Sequence, residues 1–146
     1  MIRPILSDDR EAWQGLFRSY GEFYKTDFSD DILEKVWLLL LTAGSGIDAV
    51  VSENDGGEVV GFAHYRSHPD TFTGGRDWFL DDLYVDPDAR GAGHATALIE
   101  HLKDLAKETG PAGTLRWITA ADNARAQSVY DKVAAKTTWV TYEVRL

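Results

Sequence analysis

Arg90, Gly91, Gly93 and His94 stand in one short run, DARGAGHA over 88–95, between an apolar β-rich segment and a helical one. Glycine lets the backbone take conformations closed to other residues and come close to a ligand. The first turn of the following helix offers unpaired N–H groups at the positive end of its dipole. Together these make an anion site suited to a pyrophosphate, and Arg90 adds a charged fork for phosphate oxygens. A Walker-type loop would require a Lys after its last glycine, and none follows Gly93. A dinucleotide fingerprint would require a third small residue at Thr96 and a place much earlier in the chain. The other reading of the run is a glycine-rich turn that only lets the helix pack.

The remaining reactive residue types narrow the chemistry. There is no cysteine, so disulfides, thiolate metal sites and thiol nucleophiles are excluded. His64, His68, His94 and His101 have no metal-ligand spacing, and no metal is expected. Trp13, Leu16, Phe17, Tyr20, Phe23 and Tyr24 recur at helical spacing, so Trp13 and Phe17 are expected in a core.

The elements that must position these residues follow from periodicity and turn signals. A short strand at 2–5 precedes the aromatic helix, which starts after the cluster at 7–9. A second helix starts at 29–31, carries Ile32, Val36, Leu39 and Leu40 as its stripe, and ends at the glycines 44–46. Strands at 47–53 and 58–66 are joined by the turn NDGG. A strand at 78–85 closes at Pro87, and a helix over 93–107 carries Ala95, Leu98, Ile99, Leu102 and Ala106 on one face. A strand at 115–119 leads to a helix capped at Asp122 or Asn123, with Ala126, Val129, Tyr130 and Val133 inward, and an alternating strand fills 137–146. This is an α/β (α+β) fold: a mixed central sheet of about six strands, with four helices on its two faces.

The 146 residues suit one domain over 1–146. The longest apolar run, VWLLLL at 36–41, is too short to cross a bilayer, and the N-terminus lacks signal-peptide features. A cytoplasmic protein away from membranes is expected. The formal charge of −9 argues against nucleic acid as a partner, because phosphate backbones demand clustered cations.

Arg90, Gly93 and Ala95, after a strand ending Leu83, Tyr84 and Val85, resemble the Arg/Gln-x-x-Gly-x-Gly/Ala signature of the GNAT acetyltransferase superfamily. A second segment, DNARAQSVYDKV at 122–133, is similar to the superfamily's asparagine followed by a helix bearing tyrosine. The aromatic first helix and the terminal run TWVTY resemble the yeast-type histone and polyamine acetyltransferase subgroup. The two motifs span about residues 78 to 142, and the order of elements agrees over the whole chain.

The resemblance implies a GNAT fold and transfer of an acetyl group from acetyl-CoA to a primary amine, a polyamine, amino acid or lysine-like acceptor, by direct attack in a ternary complex. It implies that pantetheine bonds to the backbone at Leu83, Tyr84 and Val85, and that pyrophosphate sits on the N–H groups of Arg90, Gly91, Ala92, Gly93, His94 and Ala95. Tyr130 is then the general acid that protonates the departing thiolate; as a residue alone it reads equally as a core tyrosine. Asn123 contacts pantetheine or caps its helix, and Asp122 would cap as well. Asp81 is the implied base, and strand alternation puts it on the face opposite Asp82; otherwise both are rim charges. Tyr20, Phe23 and Tyr24 form the implied acceptor pocket, where aromatic rings can hold an alkylammonium.

Many superfamily members end in two strands after the tyrosine helix, whereas this chain has room for one. The expected open edge invites a second chain, so a homodimer joined near the C-terminal strands is anticipated. Two rivals stay open on sequence: an acyl-CoA-binding sensor without turnover, and an acetyltransferase of protein N-termini or histone-like tails.

Overall fold

The computed structural model describes residues 1–146. Its elements are β1 (Ile2–Pro4), α1 (Arg10–Phe23), α2 (Asp30–Leu41), β2 (Asp48–Glu53), β3 (Val59–Pro69), β4 (Arg76–Val85), α3 (His94–Glu108), β5 (Ala112–Arg116) and α4 (Ala124–Tyr130). The strands form one mixed sheet in the order β1-β2-β3-β4-β5. Neighbours run antiparallel up to β4, and β5 joins β4 in parallel. The predicted order of elements holds from β1 to α4, with five strands instead of about six.

Strand alternation sends each side of the sheet to its own core. Ala49, Val51 and Phe62 face α1 and α2, where Trp13, Leu16, Phe17, Leu33, Trp37 and Leu40 are buried. Val50, Ala63, Leu80 and Val85 face α3, packed on Leu98, Ile99 and Leu102. β2 is buried on both sides over 49–52, where Ala49, Val50 and Val51 make a short apolar run. α3 buries the face its periodicity predicts.

α2 buries its expected stripe only in part: Leu40 is buried and Val36 packs half-buried on the same core. Leu33, Trp37 and Leu40 face the core, whereas Ile32 and Leu39 are exposed. Six apolar residues in the last seven allow several stripes, and the bulk of Trp37, packed on Trp13 at 5.1 Å between ring centroids, selects this one.

Two further expectations are corrected at the C-terminal end. β5 begins three residues before the predicted 115 and stops at Arg116, because its pairing with β4 runs only from Arg76↔Ala112 to Phe79↔Arg116. Beyond that pair the two strands part, so the β-prone 117–119 has no ladder to join. The final strand over 137–146 does not form; Trp139, Val140, Tyr142 and Val144 are exposed and nothing in the chain pairs with them. Alternating sequence creates a strand only where another strand offers its backbone groups.

Candidate active site

The cleft opens where β4 leaves β5. It encloses about 400 Å³ between the end of β4, the start of α3, α4 and the last turn of α1. Leu83, Tyr84, Val85, Arg90, Gly91, Gly93, His94, Ala95, Asn123, Tyr130, Tyr20, Phe23 and Tyr24, all expected in the site, line it. Ala92 belongs to the same loop but does not line the cleft, and neither does Asp81.

The loop makes an anion cradle from backbone alone. Gly91 and Gly93 adopt φ of 86° and 84°, conformations that cost an L-residue about 1–2 kcal/mol. A Cβ at either position would meet no protein atom within 4 Å, so backbone conformation, and not crowding, demands glycine. The turn leaves the N–H groups of six consecutive residues, Gly91 to Thr96, without a partner in the protein. Such a row at the start of a 15-residue helix is an anion seat, and it fits a pyrophosphate. Arg90 is steadied by its Nε–H, which donates to the Val85 carbonyl at 3.0 Å, and by the Tyr84 ring at 5.5 Å. Its terminal guanidinium nitrogens stay free for phosphate oxygens. His94 has a task the sequence did not suggest: its Nδ1 is 2.7 Å from Oγ of the buried Ser52, tying the start of α3 to β2.

On the opposite wall Tyr130 is half-buried, with its ring 5.4 Å from Trp117. Its hydroxyl makes no hydrogen bond in the protein, and burial, then Tyr24, pushes its ionisation upward. The phenol therefore keeps its proton at neutral pH. Asn123 caps α4, its side-chain oxygen accepting from the Ala126 N–H at 3.2 Å, while its amide NH₂ remains available to the cleft. Arg125 and Lys132, which the sequence reading passed over, also line the cleft, and no Asp or Glu does.

The two aspartates of β4 do not alternate as expected. The register pairs His64 with Asp82 and Tyr65 with Leu80, so Asp81 is the extra residue of a β-bulge. Both carboxylates consequently bond to β3 side chains two residues apart: Asp82 to His64 Nδ1 at 2.9 Å, and Asp81 to Arg66 Nε at 3.0 Å. Arg66 also lies over Phe79 at 4.8 Å, which holds Asp81 away from the cleft. Asp82 is set apart from it. Burial pushes its carboxyl upward, but the hydrogen bond from His64 outweighs that and holds it below the ordinary range. The available signal was His64 itself, placed between Phe62 and Arg66 on the inward face of an apolar strand, where a histidine must find partners.

Known proteins resemble this chain in sequence and in fold. The family model described as "Acetyltransferase (GNAT) family" matches residues 9–134. The D-amino-acid N-acetyltransferase HPA3 of Saccharomyces cerevisiae is 31% identical, over 98% of this chain and 89% of its own length. The crystal structure of a ribosomal-protein-alanine N-acetyltransferase from Brucella melitensis biovar Abortus is 28% identical, covers 100% of this chain and 99% of its own, and superposes with a TM-score of 0.80. The aminoglycoside N-acetyltransferase AAC(6')-Iy, solved in complex with CoA, shares the fold at a TM-score of 0.83 and 22% identity, over 99% of this chain and 93% of its own.

Proposed function

The chain belongs to the GNAT acetyltransferase family and is an acetyl-CoA-dependent N-acetyltransferase, and from that premise we propose that its acceptor is an amino acid. The observation that carries this reading is the charge of the cleft. In a protein with a formal charge of −9, the lining holds Arg90, Arg125 and Lys132 and not one carboxylate. Arg90 and the backbone cradle suffice for pyrophosphate, which leaves Arg125 and Lys132 for a carboxylate on the acceptor. A polyamine would meet like charge there. The 31% identity to a yeast enzyme named for D-amino acids supports the same choice.

Acetyl-CoA supplies the acetyl group as an activated thioester. The pyrophosphate is held by the N–H row from Gly91 to Thr96 and by Arg90, and the pantetheine by the backbone of Leu83 to Val85 and the Asn123 amide. A β4 N–H would bond the thioester carbonyl oxygen, which gains charge as the amine attacks. The new C–N bond forms directly from the acceptor nitrogen on the thioester carbon, and no cysteine exists to carry the acetyl group between them. The acceptor ammonium first gives one proton to solvent; as the freed nitrogen bonds the carbonyl carbon and the C–S bond breaks, Tyr130 gives its proton to the leaving sulfur and is reprotonated, through solvent, by the second proton that the nitrogen sheds. Asp81, occupied by Arg66, is not assigned the base. We further propose that the chain works in the cytoplasm and acts as a homodimer.

Release of free thiol with a panel of L- and D-amino acids, polyamines and a lysine peptide tests this reading. Turnover of amino acids, with an acceptor KM raised about tenfold in Arg125→Ala, is expected. Preference for spermidine over every amino acid would overturn it.

A further inference from the structure

Four aromatic rings run in contact from β4 to the mouth of the cleft, and all four line it. Tyr84, on β4, meets Tyr20 edge to face, with ring centroids 6.3 Å apart. Tyr20 meets Tyr24 at 4.9 Å and Tyr24 meets Phe23 at 5.1 Å, again edge to face. The inner pair also packs on the core, where both rings lie against Phe62. The outer pair does not: Tyr24 is 46% exposed and Phe23 56%. Backbone fixes where these two stand. α1 stops at Tyr24 because Lys25 turns to φ 56° and the Thr26 N–H closes back on the Gly21 carbonyl at 2.8 Å. Phe28 then lies over Gly21, where its ring and the Thr26 carbonyl leave no room for a Cβ.

We propose that Tyr20, Tyr24 and Phe23 form a side-chain subsite, and that the acceptor is an amino acid with a long uncharged apolar side chain, aromatic or branched aliphatic. Half-exposed rings on a cleft wall gain when an apolar group covers them. The charges nearby select which group. Arg125 and Lys132 line the same cleft and no carboxylate does, so a cationic side chain would meet like charge without a counter-charge. An anionic one would shed its water against ring faces that carry negative density. The rings therefore take a neutral side chain, and not the alkylammonium that the family resemblance implies for them. The inference rests on the amino-acid reading above and deepens it. The acceptor nitrogen sits at the inner end of the row, beside Tyr84. Its side chain lies outward along Tyr20, Tyr24 and Phe23, and its carboxylate turns to Arg125 and Lys132.

The test measures kcat/KM by thiol release, with the full chain, for phenylalanine, leucine, alanine, aspartate and arginine in both enantiomers, and for 2-phenylethylamine and ethylamine. Phenylalanine and leucine should exceed alanine of the same hand about tenfold or more, the worth of covering such a side chain. Aspartate and arginine should fall below alanine. The double variant Phe23→Ala with Tyr24→Ala should bring the phenylalanine-to-alanine ratio to within about threefold. Phe23→Leu, which keeps an apolar surface, should retain most of it. Each ratio is taken within one variant, so a change in the amount of folded enzyme cancels. Arginine as the best substrate would give the rings to a cation and overturn the proposal. Alanine used as well as phenylalanine, or a ratio unchanged in the double variant, would overturn it too. If only amines without a carboxylate are acetylated, the amino-acid reading falls, and the two simple amines decide the role of the rings. A preference of about tenfold for 2-phenylethylamine that the double variant abolishes upholds the apolar subsite, and equal use of the two amines overturns it.

Discussion

Tyr130, the proposed acid, lines the cleft, whereas Asp81 is paired with Arg66 outside it. Tyr130 lines the cleft with an unbonded hydroxyl that burial keeps protonated. Its replacement by phenylalanine keeps the ring against Trp117 and removes only the proton. We expect Tyr130→Phe to lower kcat about a hundredfold or more, the usual worth of general acid catalysis, with acetyl-CoA KM little changed; single-turnover thiol release checks it. Asp81→Asn should cost only the partly exposed pair with Arg66, about 0–1 kcal/mol of stability, and leave kcat within about threefold. A loss as large as that of Tyr130→Phe would return the base role to Asp81. The motif made Tyr130 and Asn123 legible in the sequence: Tyr130 falls on the inward face that periodicity predicts, and Asn123 stands at the cap of its helix. Asp82 and His64 were not legible, because a one-residue bulge reverses the faces of every β4 residue beyond it, and no local signal announces it.

At the scale of elements, the cradle depends on backbone conformation more than on side chains. Gly93→Ala must place a Cβ at φ 84°, where it touches nothing but is strained by its own backbone. We expect a loss of about 1 kcal/mol and a melting temperature lower by about 3 °C, together with a raised acetyl-CoA KM; calorimetry and kinetics check the two halves. A second device ties β1 to the turn before α1. Arg3 bonds Asp9 through both terminal nitrogens at 2.7 and 2.8 Å, and reaches Glu53 of β2 at 2.6 Å. The Arg3 hydrogen bond, against burial, holds the Asp9 carboxyl below its ordinary value. A depressed carboxylate contributes stability that is fully present above its unfolded value, about 3.9, and is lost as pH falls through the folded one. The melting temperature of wild type should therefore exceed that of Asp9→Asn at pH 7, and the gap should close below about pH 4. Where stripes, caps and turns were strong, as in α3 and the β2–β3 hairpin, the sequence located the elements to within a few residues. β5 and the tail were misread because strand formation there depends on a partner's reach, which local pattern does not contain.

At the scale of the molecule, the C-terminal run is unfinished in one chain. Residues 137–146 leave Trp139, Val140, Tyr142, Val144 and Leu146 exposed, and Val140, Tyr142, Val144 and Leu146 fall on one face at a period of two. β5 lies at the sheet edge, with nothing paired on its outer side. α2 adds Ile32, Leu38, Leu39 and Leu41 to the apolar surface left in water. Patches of this kind are rare on monomers and are commonly covered by another chain. A strand-forming tail beside an open edge favours pairing with a second copy, in which each chain supplies what the other lacks. Sedimentation at micromolar concentration should therefore give a particle of about twice 16.3 kDa. Deleting 137–146 should return it to one chain and make its melting temperature independent of protein concentration, as linkage requires. A wild-type monomer at micromolar concentration would leave the tail without a partner and sink the dimer.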